Sequence, residues 1–274
     1  MFSQDFSEKI FEKIFKMSSK DFKVQVLPDS KSLGEKAAQF VARKIQSVVK
    51  EKGKIRVIFA TGASQLNFIE SLIRTKDVPW NKVECFHLDE YVGLDSNHEA
   101  SFRLYLKKRL FERLSPPPLA IHYLEPSQIE TYASLLKKEE IHLACIGIGE
   151  NGHIAFNDPG NADFKDSETV KIVQLDRKCR EQQVGEGWFE SLAKTPKKAA
   201  TLTIPQIMSA HTISCVVPDK RKAWAVQQML VKFKEKPNTD CPASILQKHR
   251  DCTLFLDENS ASLVPELSSS SSRE

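Results

Sequence analysis

Short, β-rich apolar runs alternate along this chain with segments whose apolar residues recur at helical spacing. The runs fall at 22–27 (FKVQVL), 55–60 (IRVIFA), 83–88 (VECFHL), 141–148 (IHLACIGI), 212–217 (TISCVV) and 252–256 (CTLFL), with weaker ones at 121–124 and 170–175. Helix-period segments occupy 32–50, 65–74, 100–114, 127–138, 221–231 and 243–249. A strand that is apolar on both sides must be covered on both sides, and strands separated by helices pair in parallel. The pattern predicts an α/β fold: a doubly wound, mostly parallel sheet with helices on both faces. A chain of 274 residues, 41% hydrophobic and 28% charged, is long enough to bury such a sheet in one unit. Neither a repeat nor a linker divides it, so one domain is expected over 1–262. Phe2, Phe6, Ile10, Phe11, Ile14 and Phe15 stand at helical spacing and predict an amphipathic helix over 1–20. The Ser-rich end, 263–274, predicts a disordered tail.

Composition then narrows the function. Lys+Arg number 40 against 36 Asp+Glu, a net charge of +4. That excess is too small and too dispersed for a nucleic-acid or anionic-membrane partner. No apolar run approaches the roughly 20 residues of a membrane span, and the first 20 residues lack the apolar stretch and cleavage site of a signal peptide. The six cysteines form no C-x-x-C pair, and Cys85, Cys145, Cys215 and Cys252 lie in or beside apolar runs. Buried thiols in a cytoplasmic setting are expected, and a zinc site is not.

In an open parallel sheet, ligands bind beyond the carboxyl ends of the strands, so the residues after each run are the candidates. After 55–60 come Thr61, Gly62, Ala63 and Ser64, then a helix. Ser64 reads as its N-cap, and free amides at a helix start suit phosphate; a plain capped turn fits the same residues. After 83–88 come Asp89 and Glu90, which point opposite ways on an extended chain. At most one faces a given pocket, where it can be a general base, while an N-cap or a salt bridge accounts equally for such a pair. After 141–148, a glycine-rich loop carries Asn151, Gly152, His153 and Asp158. Histidine suits proton transfer near neutral pH, with Asn151 or Asp158 to fix its tautomer. After 212–217 stand Lys220, Arg221 and Lys222 at a helix start. The macrodipole disfavours cations there, so the placement suits an anionic ligand, though a solvated charge run is the default account of these residues taken alone. Residues 147–152 fit G-x-G-x-x-G, but Pro159 interrupts the following helix and no acidic residue marks the next strand end, so no dinucleotide site is expected. Neither a G-x-S-x-G elbow nor a P-loop occurs.

Together TGASQ (61–65), FHLDEYVGL (86–94), GIGENGHIAFNDP (147–159) and the KA pair at 222–223 behind the SCVVP strand resemble the glucosamine-6-phosphate deaminase/isomerase family, over about residues 22–262. LDEYVGL followed by NGHIAFNDP is specific; the 6-phosphogluconolactonases of the same superfamily typically lack the first. The resemblance implies a Rossmann-like sandwich with a small lid, no metal or organic cofactor, and conversion of glucosamine 6-phosphate and water to fructose 6-phosphate and ammonia. Its partner would be a small-molecule sugar phosphate; homo-oligomerisation is left open. Asp89 matches the base that moves a proton from C2 to C1, and His153 the residue that opens the pyranose ring. Lys222 and the 61–65 turn match phosphate-binding elements, with Glu90 and Gly152 also assigned to the substrate. Where the family combines Asp, His and Glu for ring opening, this chain has Asn151 and Asp158 around His153. Gln183 stands where bacterial relatives place a phosphate-binding Arg, and Arg180, one helical turn earlier, is the expected substitute. Two other readings are a lactonase-like hydrolase that uses His153 without Asp89, and a catalytically weak sugar-phosphate sensor.

Overall fold

The computed structural model of the chain describes residues 13–16 and 22–268. Seven strands form a parallel sheet: β2 (Phe22–Leu27), β3 (Ile55–Phe59), β4 (Val83–His87), β6 (Ala120–His122), β7 (Leu143–Ile146), β10 (Thr212–Val217) and β11 (Cys252–Asp257). Their order is β2-β11-β10-β7-β3-β4-β6. From β3 the chain builds outward through β4 to β6; from β7 it builds the other way through β10 to β11. The winding reverses between β3 and β7, and that switch point is where an open α/β sheet holds its ligand.

The period of two along the central strands separates two cores. Ile58, Ala144 and Ile146 face one, while Val57, Phe59, Leu143 and Cys145 face the other. On the second face lie α1 (Ser30–Lys52) and α2 (Leu66–Arg74). The α1 helix starts where the Asp29 carboxylate accepts from the Ser32 amide at 2.7 Å, and ends at Gly53 in the left-handed region. It buries Leu33, Ala37, Val41 and Ile45, every fourth residue, the larger of them contributing about 1.5–3 kcal/mol each. The first face is covered by α4 (Ile129–Lys137) and α7 (Ala223–Gln227), among others.

A second, antiparallel sheet of β5 (Asp89–Tyr91), β9 (Lys198–Leu202) and β8 (Val170–Gln174) lies beside the first, in the order β5-β9-β8. Only its β8 was legible in the sequence. It packs on a third core where Tyr91, Phe102, Phe156 and Phe189 meet. Also on this core are α3 (Phe102–Arg109) and α5 (Arg177–Gly185).

Two terminal expectations are corrected. Within the expected helix over 1–20, Lys13–Lys16 is instead a strand, β1, paired antiparallel with β2. The outer edge of β2 offers unpaired backbone groups that a strand satisfies and a helix cannot. The rest of that segment lies outside the described residues. At the other end, Pro265–Ser268 forms a short helix, and Val264 and Leu267 are buried in the core. Apolar burial therefore orders the start of the expected disordered tail; 269–274 lie outside the described residues. The expected helix at 243–249 is a 3₁₀ helix, Pro242–Lys248, and that at 221–231 splits into a 3₁₀ turn, α7 and a π-turn. All six cysteines are buried and unpaired. Among the described residues no helix is long and apolar enough to cross a membrane.

Candidate active site

A cavity opens beyond the carboxyl ends of β3, β4, β7 and β10. Thr61, Gly62, Ala63, Ser64, Asp89, His153, Gln183 and Lys222 all line it. The loop after β3 takes Gly62 to φ 99°, a conformation that suits glycine, and the Tyr105 hydroxyl donates to the Gly62 carbonyl at 2.9 Å. Ser64 is not the cap the sequence suggested. It lies inside a 3₁₀ turn, Ala63–Gln65, that runs into α2, and its hydroxyl accepts from the Gln65 side-chain Nε2 at 3.1 Å.

Asp89 and Glu90 face opposite ways. Asp89, 5% exposed, lines the cavity, and no hydrogen bond or ion pair reaches its carboxylate among the described residues. Burial, and then the neighbouring Glu90 charge, push it well above the usual carboxylate range. Glu90, assigned to substrate binding from the sequence, is on the other side. Its carboxylate accepts from the Ser101 hydroxyl at 2.9 Å and from the amides of Phe102 and Arg103 at 3.2 and 2.9 Å, anchoring the start of α3. His87 is buried behind this strand, where desolvation drives its pKa down to about 3 and keeps the ring neutral.

The loop after β7 builds the histidine site. A Cβ on Gly149 would lie 2.2–2.3 Å from the atoms of the His153 ring, so the imidazole lies flat across that glycine and any side chain there would evict it. His153 Nδ1 is 2.9 Å from Asp158 Oδ1. Asn151 stands behind this pair rather than on the cavity. Its carbonyl oxygen accepts from the His153 amide at 3.1 Å, and its Nδ2 donates to Asp158 at 3.1 Å and to Asp176 at 3.3 Å. Burial pushes the Asp158 carboxyl up, but the imidazole beside it, Asn151 and the Asp176 amide outweigh this and hold it below its ordinary value. A carboxylate thus faces the inner nitrogen of His153, placed to stabilise an imidazolium. Asp158 supplies it, and Asn151 orients both. Gly152 is in the same loop but off the cavity wall, in the left-handed region at φ 86°.

After β10, Asp219 adopts φ 86°, a strained value for a residue with a side chain, and Asp257 accepts from its amide at 3.0 Å. The turn carries Lys222 inward. Lys222 is 4% exposed, and its ammonium has no ion-pair or hydrogen-bond partner among the described residues. Desolvation lowers its pKa, against the opposing pull of Glu186 and Glu150. An unpaired buried cation on a cavity wall is arranged for an anionic ligand.

Two of the sequence assignments at the anionic end fare differently. The Gln183 carbonyl accepts from the Tyr91 hydroxyl at 2.9 Å while the residue lines the cavity. Arg180, the expected substitute for a phosphate-binding Arg, is turned away. Its guanidinium donates to the carbonyls of Leu192 and Thr195 and does not line the cavity. The sequence reasoning missed Gln182 and Glu186, which also line it. Glu186 follows Gln183 by three residues, and that helical spacing was the available signal.

A sequence profile described as glucosamine-6-phosphate isomerases/6-phosphogluconolactonase matches residues 28–255. A glucosamine-6-phosphate deaminase of Exiguobacterium sibiricum is 34% identical over 226 residues, 81% of this chain and 86% of that one. Glucosamine-6-phosphate deaminase 1 of Bacillus subtilis is 32% identical over 242 residues, 84% of this chain and 96% of that one. The solved structure of a monomeric glucosamine-6-phosphate deaminase superposes with a TM-score of 0.78 at 30% identity, covering 88% of this chain and 99% of the other. A 6-phosphogluconolactonase from Trypanosoma brucei gives 0.70 at 15% identity over 90% and 100%, a likeness of fold alone. A profile match over most of the chain and a relative above 30% identity along nearly all of its own length agree: the chain belongs to the glucosamine-6-phosphate isomerase/6-phosphogluconolactonase family.

Proposed function

We propose that the protein is an enzyme that converts glucosamine 6-phosphate and water into fructose 6-phosphate and ammonia. The observation that carries this reading is Asp89: a buried, unpartnered carboxylate on the same cavity wall as His153 and Lys222. Hydrolysis of a lactone needs a base for water but no carboxylate placed to carry a proton between neighbouring carbons.

In this reading His153 takes the proton of the anomeric hydroxyl and returns one to the ring oxygen, with Asp158 stabilising the imidazolium in between. Asp89 then removes the C2 proton to give an enolamine and delivers it to C1, leaving a ketimine at C2. Water adds to C2 and ammonia departs, which balances the reaction without a redox partner. Lys222 and the amides of the 61–65 turn hold the phosphate, the lysine as a point charge and the turn through its N–H groups other than that of Gln65, which donates to the Gly62 carbonyl.

The test is direct. Glucosamine 6-phosphate is incubated with the protein, and ammonia and fructose 6-phosphate are measured together; equal yields of the two are expected. Hydrolysis of 6-phosphogluconolactone with no ammonia release would select the hydrolase reading. Binding of both compounds without turnover would leave a sensor.

A further inference from the structure

Behind His153, on the side away from the cavity, a third polar group that the proposed reaction does not use completes a cluster with His153 and Asp158. Cys179, in the first turn of α5, is 1% exposed, and Asp158 is wholly buried. The His153 ring nitrogen, an Asp158 carboxylate oxygen and the Cys179 sulfur all lie within 4.8 Å of one another, the one such trio among the described residues. We propose that His153, Asp158 and Cys179 bind a zinc ion, and that its binding switches the ring-opening histidine off.

The geometry is close to what zinc requires. Zinc–nitrogen and zinc–sulfur bonds of about 2.0–2.3 Å put tetrahedral ligands roughly 3.3–3.7 Å apart, so the widest approach in this trio has to close by about an ångström. The donor set is one nitrogen, one oxygen and one sulfur, which suits zinc and disfavours magnesium and calcium. The inner nitrogen of His153 supplies the second observation. This buried nitrogen lies 2.9 Å from the Asp158 carboxylate, and no well-formed hydrogen bond satisfies it. In the tautomer that carries the ring proton on the cavity-facing nitrogen, its lone pair is available to a cation between the three side chains. As the sulfur–metal bond forms, the thiol releases its proton to solvent. Three protein ligands leave a fourth position for water.

The consequence rests on the role of His153 proposed above. Asp158 beside the inner nitrogen supports a positive charge on the ring. A zinc ion at the same nitrogen opposes that charge and moves the ring's one proton to the cavity-facing nitrogen, which then has no lone pair to accept another. The ion sits behind the histidine rather than in the substrate's place. Zinc should therefore lower kcat and leave KM nearly unchanged.

The experiment uses cobalt(II) as zinc's spectroscopic stand-in on the chelator-treated full chain. A near-ultraviolet thiolate-to-cobalt band that saturates at one ion per chain and is bleached by zinc is expected. Cys179→Ser should abolish the band. His153→Gln should weaken cobalt binding by at least about tenfold, and it serves if the serine variant does not fold. Zinc should depress ammonia release from glucosamine 6-phosphate, with recovery on addition of a chelator. Absence of the band, its persistence in Cys179→Ser, or unchanged affinity in His153→Gln overturns the site. Cobalt and zinc binding with undiminished kcat overturns the switch. Because the band is read without substrate, failure of the deaminase reading leaves the test of the site intact.

Discussion

Replacing Asp89 with asparagine keeps its shape and removes its charge, so activity and stability are expected to move in opposite directions. The carboxylate is 5% exposed and has no partner among the described residues, and burial followed by the Glu90 charge raises its pKa well above normal. An acid whose pKa is higher in the folded state opposes folding wherever the unfolded chain is ionised, which begins near pH 4. Below that value both states are protonated and the penalty vanishes. Asparagine keeps the cost of a buried polar group but loses the added cost of its charge, so Asp89→Asn should be more stable than the parent by about 1–3 kcal/mol at pH 7–8. In a chain of this size each kcal/mol moves Tm by about 2–4 °C. The gain should shrink steadily as pH falls toward about 4, the ordinary aspartate pKa. Turnover should fall by about 10²–10⁴-fold, the usual effect of losing a general base, while affinity for inorganic phosphate stays the same. Urea unfolding at two pH values and a coupled ammonia assay measure both effects. More than about a tenth of parental ammonia release would remove Asp89 as the base, since that lies well above the expected range. A less stable variant at neutral pH would show that the carboxylate has a partner after all.

Lys222→Ala should raise KM for the phosphorylated sugar by about 10- to 100-fold, the worth of a charge-assisted contact, with kcat little changed and no effect on the unphosphorylated sugar. Because burial lowers the Lys222 pKa, phosphate affinity should weaken with rising pH earlier than a solvent-exposed lysine would allow; equal KM effects on both sugars would refute the assignment. Gly149→Ala puts a methyl group 2.2 Å from the His153 ring, so ammonia release should drop at least about tenfold while inorganic phosphate still binds; full activity would mean that the ring is free to move. Asn151→Asp exchanges two donated hydrogen bonds, at 3.1 and 3.3 Å from carboxylates, for a third carboxylate. The change should destabilise the fold by about 3 kcal/mol or more at pH 8 and by less at pH 5, where protonating one acid restores a donor; a pH-independent effect in denaturant unfolding would rule the contact out.

The strands of the parallel sheet were legible because burial on both faces leaves them almost continuously apolar, as in β3, where every residue is buried. The second sheet was only partly legible. Its β5 is three residues long and contains two carboxylates, and its β9 reads Lys-Ala-Ala-Thr-Leu, with little β-propensity. Those strands exist because each pairs with the other, Asp89 opposite Thr201 and Tyr91 opposite Ala199, a long-range fact that no local window contains. The division of labour between Asp89 and Glu90 could be anticipated because alternation along an extended chain is a local rule. Which of the two faced the cavity could not, since that depends on α3 arriving with free amides for Glu90 to accept.

The same limit explains the histidine loop and the misassigned arginine. Asn151 and Asp158 are both within reach of His153 in sequence, two residues before and five after, and chemistry alone does not choose between them. The choice is made by backbone hydrogen bonds that fold the loop back on itself, Gly149 to the His153 carbonyl at 2.9 Å and Gly152 to the Gly149 carbonyl at 3.0 Å. They turn Asn151 toward the His153 backbone and leave Asp158 at the ring. For Arg180, helical spacing from Gln183 placed it on a neighbouring part of the α5 surface, but the loop that follows brings the Leu192 and Thr195 carbonyls to its guanidinium. The guanidinium is half-buried, and these two carbonyls give one of its terminal nitrogens partners that hold it away from the cavity. Among the described residues that line the cavity, Lys222 is then the one lysine or arginine, alongside Glu186. In the proposed reading, phosphate recognition rests on Lys222 and the backbone amides of the 61–65 turn, which is why the lysine variant is expected to act so strongly on KM.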